Sequence, residues 1–179
     1  MAGLISTMRA FSSGDTSNRR PLNPCALLRN VLTLQMGGLR AERIEVSCAE
    51  VDHGCRVLAN SNALGHVFAE IIDNAIEALM GLETDDRRLL IETEVDGDFW
   101  QARFTDNGGG MDNDALDRVF EPFFTTNDHA EHSGFGLHEA HQIMGDLGGA
   151  LKASNVDQGA SFLVRLPMTV EDNNAAEAD

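Results

Sequence analysis

Glu70 and Asn74 stand one helical turn apart in the run Glu70-Ile71-Ile72-Asp73-Asn74, a pairing that suits chemistry on a metal-bound anion. An Asn amide oxygen is a hard ligand of the kind Mg²⁺ takes, the metal filling its other positions with water and phosphate oxygens. A carboxylate one turn earlier can orient or deprotonate a water or hydroxyl beside that metal. His66 and Glu77 continue the same face. A solvated polar face on an ordinary surface helix would read the same way, so this helix leaves both readings open.

Three further patches follow in order. Asp106-Asn107-Gly108-Gly109-Gly110 sets an acceptor-only side chain, suited to an exocyclic amine such as adenine N6, before glycines that let a flat ligand approach the backbone. A plain Asn-Gly turn is the alternative. Gly134-Phe135-Gly136-Leu137 precedes a helical pattern, and N–H groups at a helix start bind phosphate without basic side chains. A tight turn fits it equally. Between them comes Phe120-Glu121-Pro122-Phe123-Phe124-Thr125-Thr126, inside a stretch to Ser133 without apolar period. Such a stretch in a compact domain reads as a lid, a binding loop or a disordered segment. Phe120, Phe123 and Phe124 are expected to anchor its near end in an apolar notch, and Asn127 to Ser133 to be mobile until nucleotide and metal bind together. His138-Glu139-Ala140-His141 spaces its histidines by three, not the four of a helical zinc motif, and reads as surface helix. Asp128, His129, Glu131 and His132 read as a solvated loop.

These patches need elements to hold them. Leu4 to Phe11 reads as a helical stub and Ser12 to Arg20 as a polar linker. Asn23-Pro24 is a cap followed by a first-turn proline, and the apolar repeat from Leu27 to Leu34 gives a helix that Gly37-Gly38 should end. Arg43 to Cys48 and Cys55 to Ala59 alternate as strands. Ser61 is expected to cap a helix reaching Met80, whose stripe Leu64, Val67, Phe68, Ile71, Ile72, Ala75 and Leu79 should press on a sheet. Leu89 to Val95 and Phe99 to Thr105 read as a hairpin turning at Asp96-Gly97-Asp98, with a short helix from Asp112 to Val119. A helix from Leu137 to Leu147 and a second hairpin, Ala150 to Asn155 and Ala160 to Leu166, complete the pattern. Residues 1–20 therefore read as stub and linker, 21–169 as one domain, and 170–179 as a frayed acidic tail. No internal repeat is visible. The predicted class is an α/β two-layer sandwich, one mixed, mostly antiparallel sheet with helices on one face.

Composition narrows the function. The 179 residues, 42% hydrophobic, suffice for a single core. A formal charge of −16 and a pI near 4.5 argue against nucleic acid or an anionic membrane surface as partner. No apolar run approaches a membrane span and no secretory leader is visible. Cys25, Cys48 and Cys55 form no CxxC pair, which points to reduced thiols in a cytosol. No Lys or Arg occurs between Arg118 and Lys152.

Taken together, the ordered patches resemble the ATP-binding (catalytic) domain of sensor histidine kinases, of the superfamily shared by gyrase B, the 90-kDa heat-shock chaperones, MutL and the kinases. The likeness spans about Leu22 to Met168. Asn74-Ala75-Ile76-Glu77-Ala78 matches the N box, Asp106 to Gly110 the DxGxG box, Phe120 to Thr126 the F box and Gly134 to Leu137 the second glycine box. Gly148-Gly149 and Gly159-Ala160-Ser161-Phe162 fit as well, and Met1 to Ser13 is similar to the end of a dimerisation helix.

The resemblance implies a Bergerat-type ATP-binding fold, ATP and Mg²⁺ as cofactors, Asn74 as Mg²⁺ ligand and Asp106 as reader of the adenine amine. It further implies that Gly108 and Gly110 shape the base pocket. Nucleotide contacts are implied at Thr125, Thr126, Gly134, Phe135, Gly136 and Leu137, with Glu70 orienting the acceptor histidine or a water. Three positions depart from the pattern: Glu70 where many kinases have Asn, His132 where the second glycine box usually begins, and Asn127 where a basic residue often stands. The implied function is transfer of the γ-phosphoryl group of Mg·ATP to a histidine on a separate dimerisation domain, upstream of a response regulator receiver domain, since no histidine here has the family's acceptor context. The expected location is cytoplasmic, in a parent protein that a membrane anchor could hold. The alternatives are a stand-alone ATPase or anti-sigma serine kinase of the same fold, or a nucleotide-sensing module that docks a regulator.

Overall fold

The computed structural model describes residues 16–49, 54–125 and 134–169. The expected stub at Leu4 to Phe11, the tail from Glu171, Thr126 and the expected lid at Asn127 to Ser133 lie outside the described residues.

The described residues form eleven elements: β1 (Arg20–Leu22), α1 (Pro24–Ala41), β2 (Glu45–Ala49), β3 (Val57–Ala59), α2 (Ser61–Met80), β4 (Arg88–Asp96), β5 (Phe99–Asp106), α3 (Asn113–Arg118), α4 (Gly136–Asp146), β6 (Ala150–Val156) and β7 (Gly159–Pro167). Five strands form one sheet in the order β2-β4-β5-β7-β6, and β1 pairs with β3 in a two-stranded sheet. Only the β2–β4 pair of the large sheet is parallel. A parallel pair needs a crossover connection, and α2 lies within the one that joins β2 to β4. Both expected hairpins form, β4 turning into β5 through Gly97-Asp98, where Gly97 has φ +58°, and β6 into β7 through Asp157-Gln158.

One face of the sheet carries the core. The inward series Leu89, Ile91 and Thr93 on β4 lies beside Trp100, Ala102 and Phe104 on β5 and Phe162, Val164 and Leu166 on β7, all buried. Helices α1, α2 and α4 cover this face, α2 packing against both its neighbours and against β5. Phe68 of α2 sets its ring edge against Trp100 at 6.1 Å between centroids, and the Trp100 indole N–H donates to Cys25 Sγ at 3.3 Å. Cys25 and Cys55 are buried and Cys48 is exposed. None of the described helices is long and apolar enough to cross a membrane.

Several expected boundaries move. Helix α1 runs through Gly37 and Gly38 to Ala41, because the next apolar residue, Leu39, is fully buried. Burying a leucine contributes about 1.5–3 kcal/mol, enough to offset the roughly 1 kcal/mol that each helical glycine costs. The helix stops instead where Arg43 turns left-handed at φ +55°, with the N–H of Ile44 donating to Leu39 O at 2.9 Å and that of Arg43 to Arg40 O at 3.1 Å. That is the closing pattern usually supplied by glycine, and it delays β2 to Glu45. At α2 the cap is Asn60, not Ser61: its side-chain oxygen accepts from the N–H groups of Asn62 at 2.9 Å and Ala63 at 3.4 Å. The Asn23 cap on α1 forms as expected, accepting from Ala26, and the short helix α3 begins one residue later than expected, with Asp112 as its cap accepting from Ala115. The phenylalanine anchor is only partly realised. Phe120 packs on the core, Phe124 lies under the Arg118 guanidinium at 4.6 Å, and Phe123 is 75% exposed at φ +64°.

Candidate functional site

Helix α2 is the spine of the site. Its apolar stripe is buried against the sheet, which fixes its rotation and leaves His66, Glu70, Asn74 and Glu77 half-buried along one polar edge. The Asn74 amide makes no hydrogen bond among the described residues, so its oxygen is available to a ligand. Four residues further along this helix, Ala78 meets the glycine loop. A Cβ on Gly108 would stand 2.8 Å from Ala78 Cβ and 3.0 Å from Asp106 Oδ1, so only glycine admits so close an approach of loop to helix.

Asp106 takes its position from strand period: it continues the inward series of Trp100, Ala102 and Phe104 at the end of β5 and is 4% exposed. Its Oδ1 accepts from the N–H groups of Gly108 at 2.8 Å and Ala160 at 3.3 Å, while Oδ2 has no hydrogen-bond partner among the described residues. Burial pushes its carboxyl above the usual carboxylate range, and the Gly108 and Ala160 bonds oppose that rise. The loop beyond it is pinned from three sides. Asn107 accepts from the N–H of Arg88 at 2.7 Å and donates to Asp86 O at 2.8 Å. The N–H of Gly109, at φ +91°, donates to Gln158 O at 3.0 Å. Asn155 on β6 accepts from the N–H of Met111 at 2.9 Å and donates to Met111 O at 2.6 Å.

Gly110, at φ +74°, lies under Asn155, where a Cβ would stand 3.0 Å from Asn155 Oδ1. Gly159 lies so close to Asp106 that a Cβ there would overlap the Asp106 carbonyl. Sequence reasoning gave no role to Asn107 or Asn155. A lone Asn in a strand carries no signal, whereas an Asp at an inward register is a visible one.

The second glycine patch sits at the other end of the α2 edge. Gly134 has φ +63°, and a Cβ there would stand 2.7 Å from Phe124 O, so the chain re-enters the described structure directly against Phe123 and Phe124. Phe135, with its ring 5.7 Å from that of Phe123, precedes α4, and no side chain caps this helix start. Its first-turn N–H groups are thus disposed to take an anion. Glu70 stands against them: a Cβ on Gly136 would overlap Glu70 Oε2. Leu137 packs on the core and fixes the helix in place. Thr125 is exposed at the last described position before this gap.

The histidines of α4 turn apart. His138 Nδ1 meets Phe120 O at 2.9 Å, His141 stacks on Phe120 at 4.7 Å between ring centroids, and Glu139 reaches His66 at 3.1 Å. These contacts leave the pair no common ligand.

One helix therefore joins Asp106 and its glycine loop, through Ala78, to the uncapped start of α4, through Glu70, with Asn74 between. The donors fit a hard cation: an amide oxygen and a carboxylate, with no cluster of three or more His, Cys, Asp or Glu among the described residues. Mg²⁺ sites of this kind complete their shell with phosphate and water. The uncapped N–H groups and the glycine cradle fit phosphate.

Comparison with known proteins agrees with this geometry. Residues 59–170 match the model of a family described as histidine kinase-, DNA gyrase B-, and HSP90-like ATPase. The chain is 34% identical over 168 residues to the two-component sensor PprA of Pseudomonas aeruginosa, matching 92% of this chain and 18% of that protein. It is 31% identical over 180 residues to the sensory histidine kinase/phosphatase NtrB of Rhizobium meliloti, 93% of this chain and 46% of that one. It thus spans less than half the length of either relative. The nucleotide-free catalytic domain of histidine kinase ThkA superposes with a TM-score of 0.74 at 26% identity over 84% of this chain and 95% of that chain. ThkA in complex with response regulator protein TrrA shares the fold at a TM-score of 0.70 and 23% identity, over 93% of this chain and 46% of that chain.

Proposed function

This chain belongs to the histidine kinase-, DNA gyrase B-, and HSP90-like ATPase family, and we propose that it delivers the γ-phosphoryl group of Mg·ATP to a histidine on a separate dimerisation domain. Within the family it is an ATP-binding domain of the sensor histidine kinase type. The observation that carries the proposal is the reach of α2, whose one polar edge brings Glu70 to the phosphate-binding helix start while its far end abuts the loop of Asp106.

Each residue has a task in this reading. Asp106 accepts from the adenine amine through Oδ2. Gly108 and Gly110 let the base lie against backbone. The start of α4, opened by Gly134 and Gly136, takes the phosphates beside Phe135 and Leu137, with Thr125 at its rim. Asn74 would hold Mg²⁺, which would supply charge neutralisation of the triphosphate. The acceptor's imidazole nitrogen forms a bond to the γ-phosphorus as the bond to the ADP oxygen breaks. Glu70 accepts from the imidazole's other N–H and orients it. Phosphoryl transfer is mostly positioning and electrostatics, which this arrangement provides.

We place 21–169 as the catalytic unit, 1–20 as the lead from a dimerisation helix, and the domain in the cytoplasm where ATP is available. The regulator bound by ThkA supports a receiver domain as the downstream partner. A stand-alone ATPase or serine kinase is the second reading, favoured by a carboxylate at position 70 that could activate water instead.

Incubating the full chain with γ-labelled ATP, Mg²⁺ and a panel of sensor kinase dimerisation domains should put acid-labile phosphohistidine on at least one acceptor. Phosphate release alone, or labelled serine on a partner, would overturn this reading in favour of the second. Nucleotide binding without any chemistry would favour a sensing or regulator-docking module.

A further inference from the structure

We propose that Asn155 is a positioning residue for the base-binding loop: its side-chain amide holds Met111 and so fixes where Gly108, Gly109 and Gly110 present backbone to the adenine. The inference rests on the nucleotide-binding reading of Asp106, because the course of that loop matters only if a base lies against it.

Three consecutive glycines cannot set their own course. They have no side chain to pack, and Gly109 at φ +91° and Gly110 at φ +74° stand where glycine alone is at ease. The loop must be held from outside. Its near end is held by Asn107, which accepts from the N–H of Arg88 and donates to Asp86 O. Its far end is held by Asn155, which accepts from the N–H of Met111 at 2.9 Å and donates to Met111 O at 2.6 Å. A side-chain amide offers a donor and an acceptor in one plane, so it pairs with Met111 as a neighbouring strand would.

The place of Asn155 in the sheet makes this clamp bear on the base. Along β6, Asn155 follows Leu151 and Ala153 on the core side of the sheet. It pairs with Ala160 of β7, whose N–H donates to Asp106 Oδ1 at 3.3 Å. Asp106 in turn lies one step beyond the Thr105–Ser161 pair of β5 and β7. Asp106, Ala160 and Asn155 thus form one row across β5, β7 and β6, and the glycine loop leaves from one end of that row and is tied down at the other. Between the two ends the N–H of Gly109 donates to Gln158 O at 3.0 Å. Gly110 is packed so closely that a Cβ would stand 3.0 Å from Asn155 Oδ1 and 3.1 Å from Gly159 O. Releasing Met111 therefore frees the loop relative to the carboxylate that reads the base. An asparagine that only finished the strand would have no need to bond the residue that ends the glycine loop.

The test separates a positioned loop from a general brace. Both bonds are open to water, so their worth lies at the low end for hydrogen bonds, and a released loop must be gathered again when the base binds. In the full chain, well below the melting temperature of each variant, Asn155→Ala should lower ADP affinity by about 5- to 10-fold in calorimetry. Asn155→Asp keeps the shape and the acceptor but sets a second acceptor against Met111 O, so it should bind ADP no better than Asn155→Ala. Val156→Ala, one residue along on the other face of β6, should stay within about 2-fold of wild type. ADP affinity within about 2-fold of wild type in either Asn155 variant, or an equal loss in Val156→Ala, would overturn the inference.

Hydrogen exchange gives a second readout. In Asn155→Ala without nucleotide, the amides of Gly109 and Met111 should exchange faster by about 5-fold or more, the β6–β7 ladder should keep its protection, and saturating ADP should restore both amides. Faster exchange throughout the hairpin would mean a brace, and unchanged exchange at Met111 would mean no hold; either result overturns the inference. A wild type that binds no ADP overturns the nucleotide reading on which the inference rests, whereas exchange at Met111 decides the clamp by itself.

Discussion

Replacing Asp106 by asparagine changes the chemistry of one atom and leaves the shape of the site intact. Oδ1 of Asp106 accepts from Gly108 at 2.8 Å and Ala160 at 3.3 Å. An asparagine must keep its oxygen there, because the reverse flip would set an NH₂ group against two backbone donors at a cost of about 1–3 kcal/mol for each donor left unpaired. The NH₂ is thereby forced into the place of Oδ2, where it faces the adenine amine donor to donor. Losing a hydrogen bond to a charged group costs about 1.5–3 kcal/mol, so ADP affinity should fall by roughly 10- to 150-fold. GDP, whose O6 would meet a donor instead of an acceptor, should bind the variant better than the wild type.

Acidity gives a second axis. Burial raises the Asp106 carboxyl above its unfolded value, so folding favours its protonated form. Its stabilising contribution is complete below the unfolded pKa and is lost as pH rises through the folded one. Asp106→Asn, which cannot ionise, should therefore gain stability relative to wild type as pH rises across that window. Wild-type ADP affinity should fall when the solution is acidified through the folded pKa, since a protonated Oδ2 becomes a donor. Calorimetry with ADP and GDP, and thermal unfolding of both proteins across the acidic range, measure all of this. Equal ADP affinity in wild type and variant, equal affinity of wild type for ADP and GDP, or a stability difference flat in pH would refute the reasoning.

Asn74→Ala should abolish the Mg²⁺-dependent part of ATP affinity, measured with and without EDTA, and leave the melting temperature unchanged, because the amide supports no internal hydrogen bond among the described residues. Gly136→Ala pushes only against the far end of the Glu70 side chain, so the fold should survive and phosphoryl transfer to a dimerisation domain should fall by about 10-fold or more as the carboxylate is displaced. Gly134→Ala is the contrasting case: at φ +63° its Cβ meets backbone, Phe124 O at 2.7 Å, and nothing flexible can yield. It should cost about 1–3 kcal/mol of stability in chemical denaturation. Incubated alone with labelled Mg·ATP, the chain should carry no stable phosphohistidine on any of its 6 histidines, which peptide mapping would check.

Periodicity and caps made most of the frame legible. The stripe of α2, the strand alternation of β4 and β5 and the cap at Asn23 are local signals, each decided within one or two turns of chain. The misplaced boundaries show where local preference loses. Gly37-Gly38 looks like a helix stop, yet the burial of Leu39 outweighs it, and Arg43 takes the left-handed turn that a glycine usually occupies. Ser61 is as good a cap as Asn60 on paper, and the structure selects the residue whose oxygen reaches Asn62 and Ala63. Phe123 carries the same apolar content as Phe120 but faces outward beside Phe135, since hydrophobicity alone does not say which of several rings the core has room for.

Residue types and their order already carry the chemical groups of the site: an amide and a carboxylate one turn apart, an acid before glycines, a glycine-opened helix. Tertiary structure alone decided that Glu70 meets Gly136, that Ala78 meets Gly108, that Asn155 clamps Met111 and that His66 stands between Glu70 and Glu139. The physical reason is range. Caps, turns and helical or strand period are free-energy preferences among near neighbours in the chain, whereas these meetings are set by how α2 and α4 seat on the sheet, a choice made by the packing of the whole core and written in no single stretch of residues.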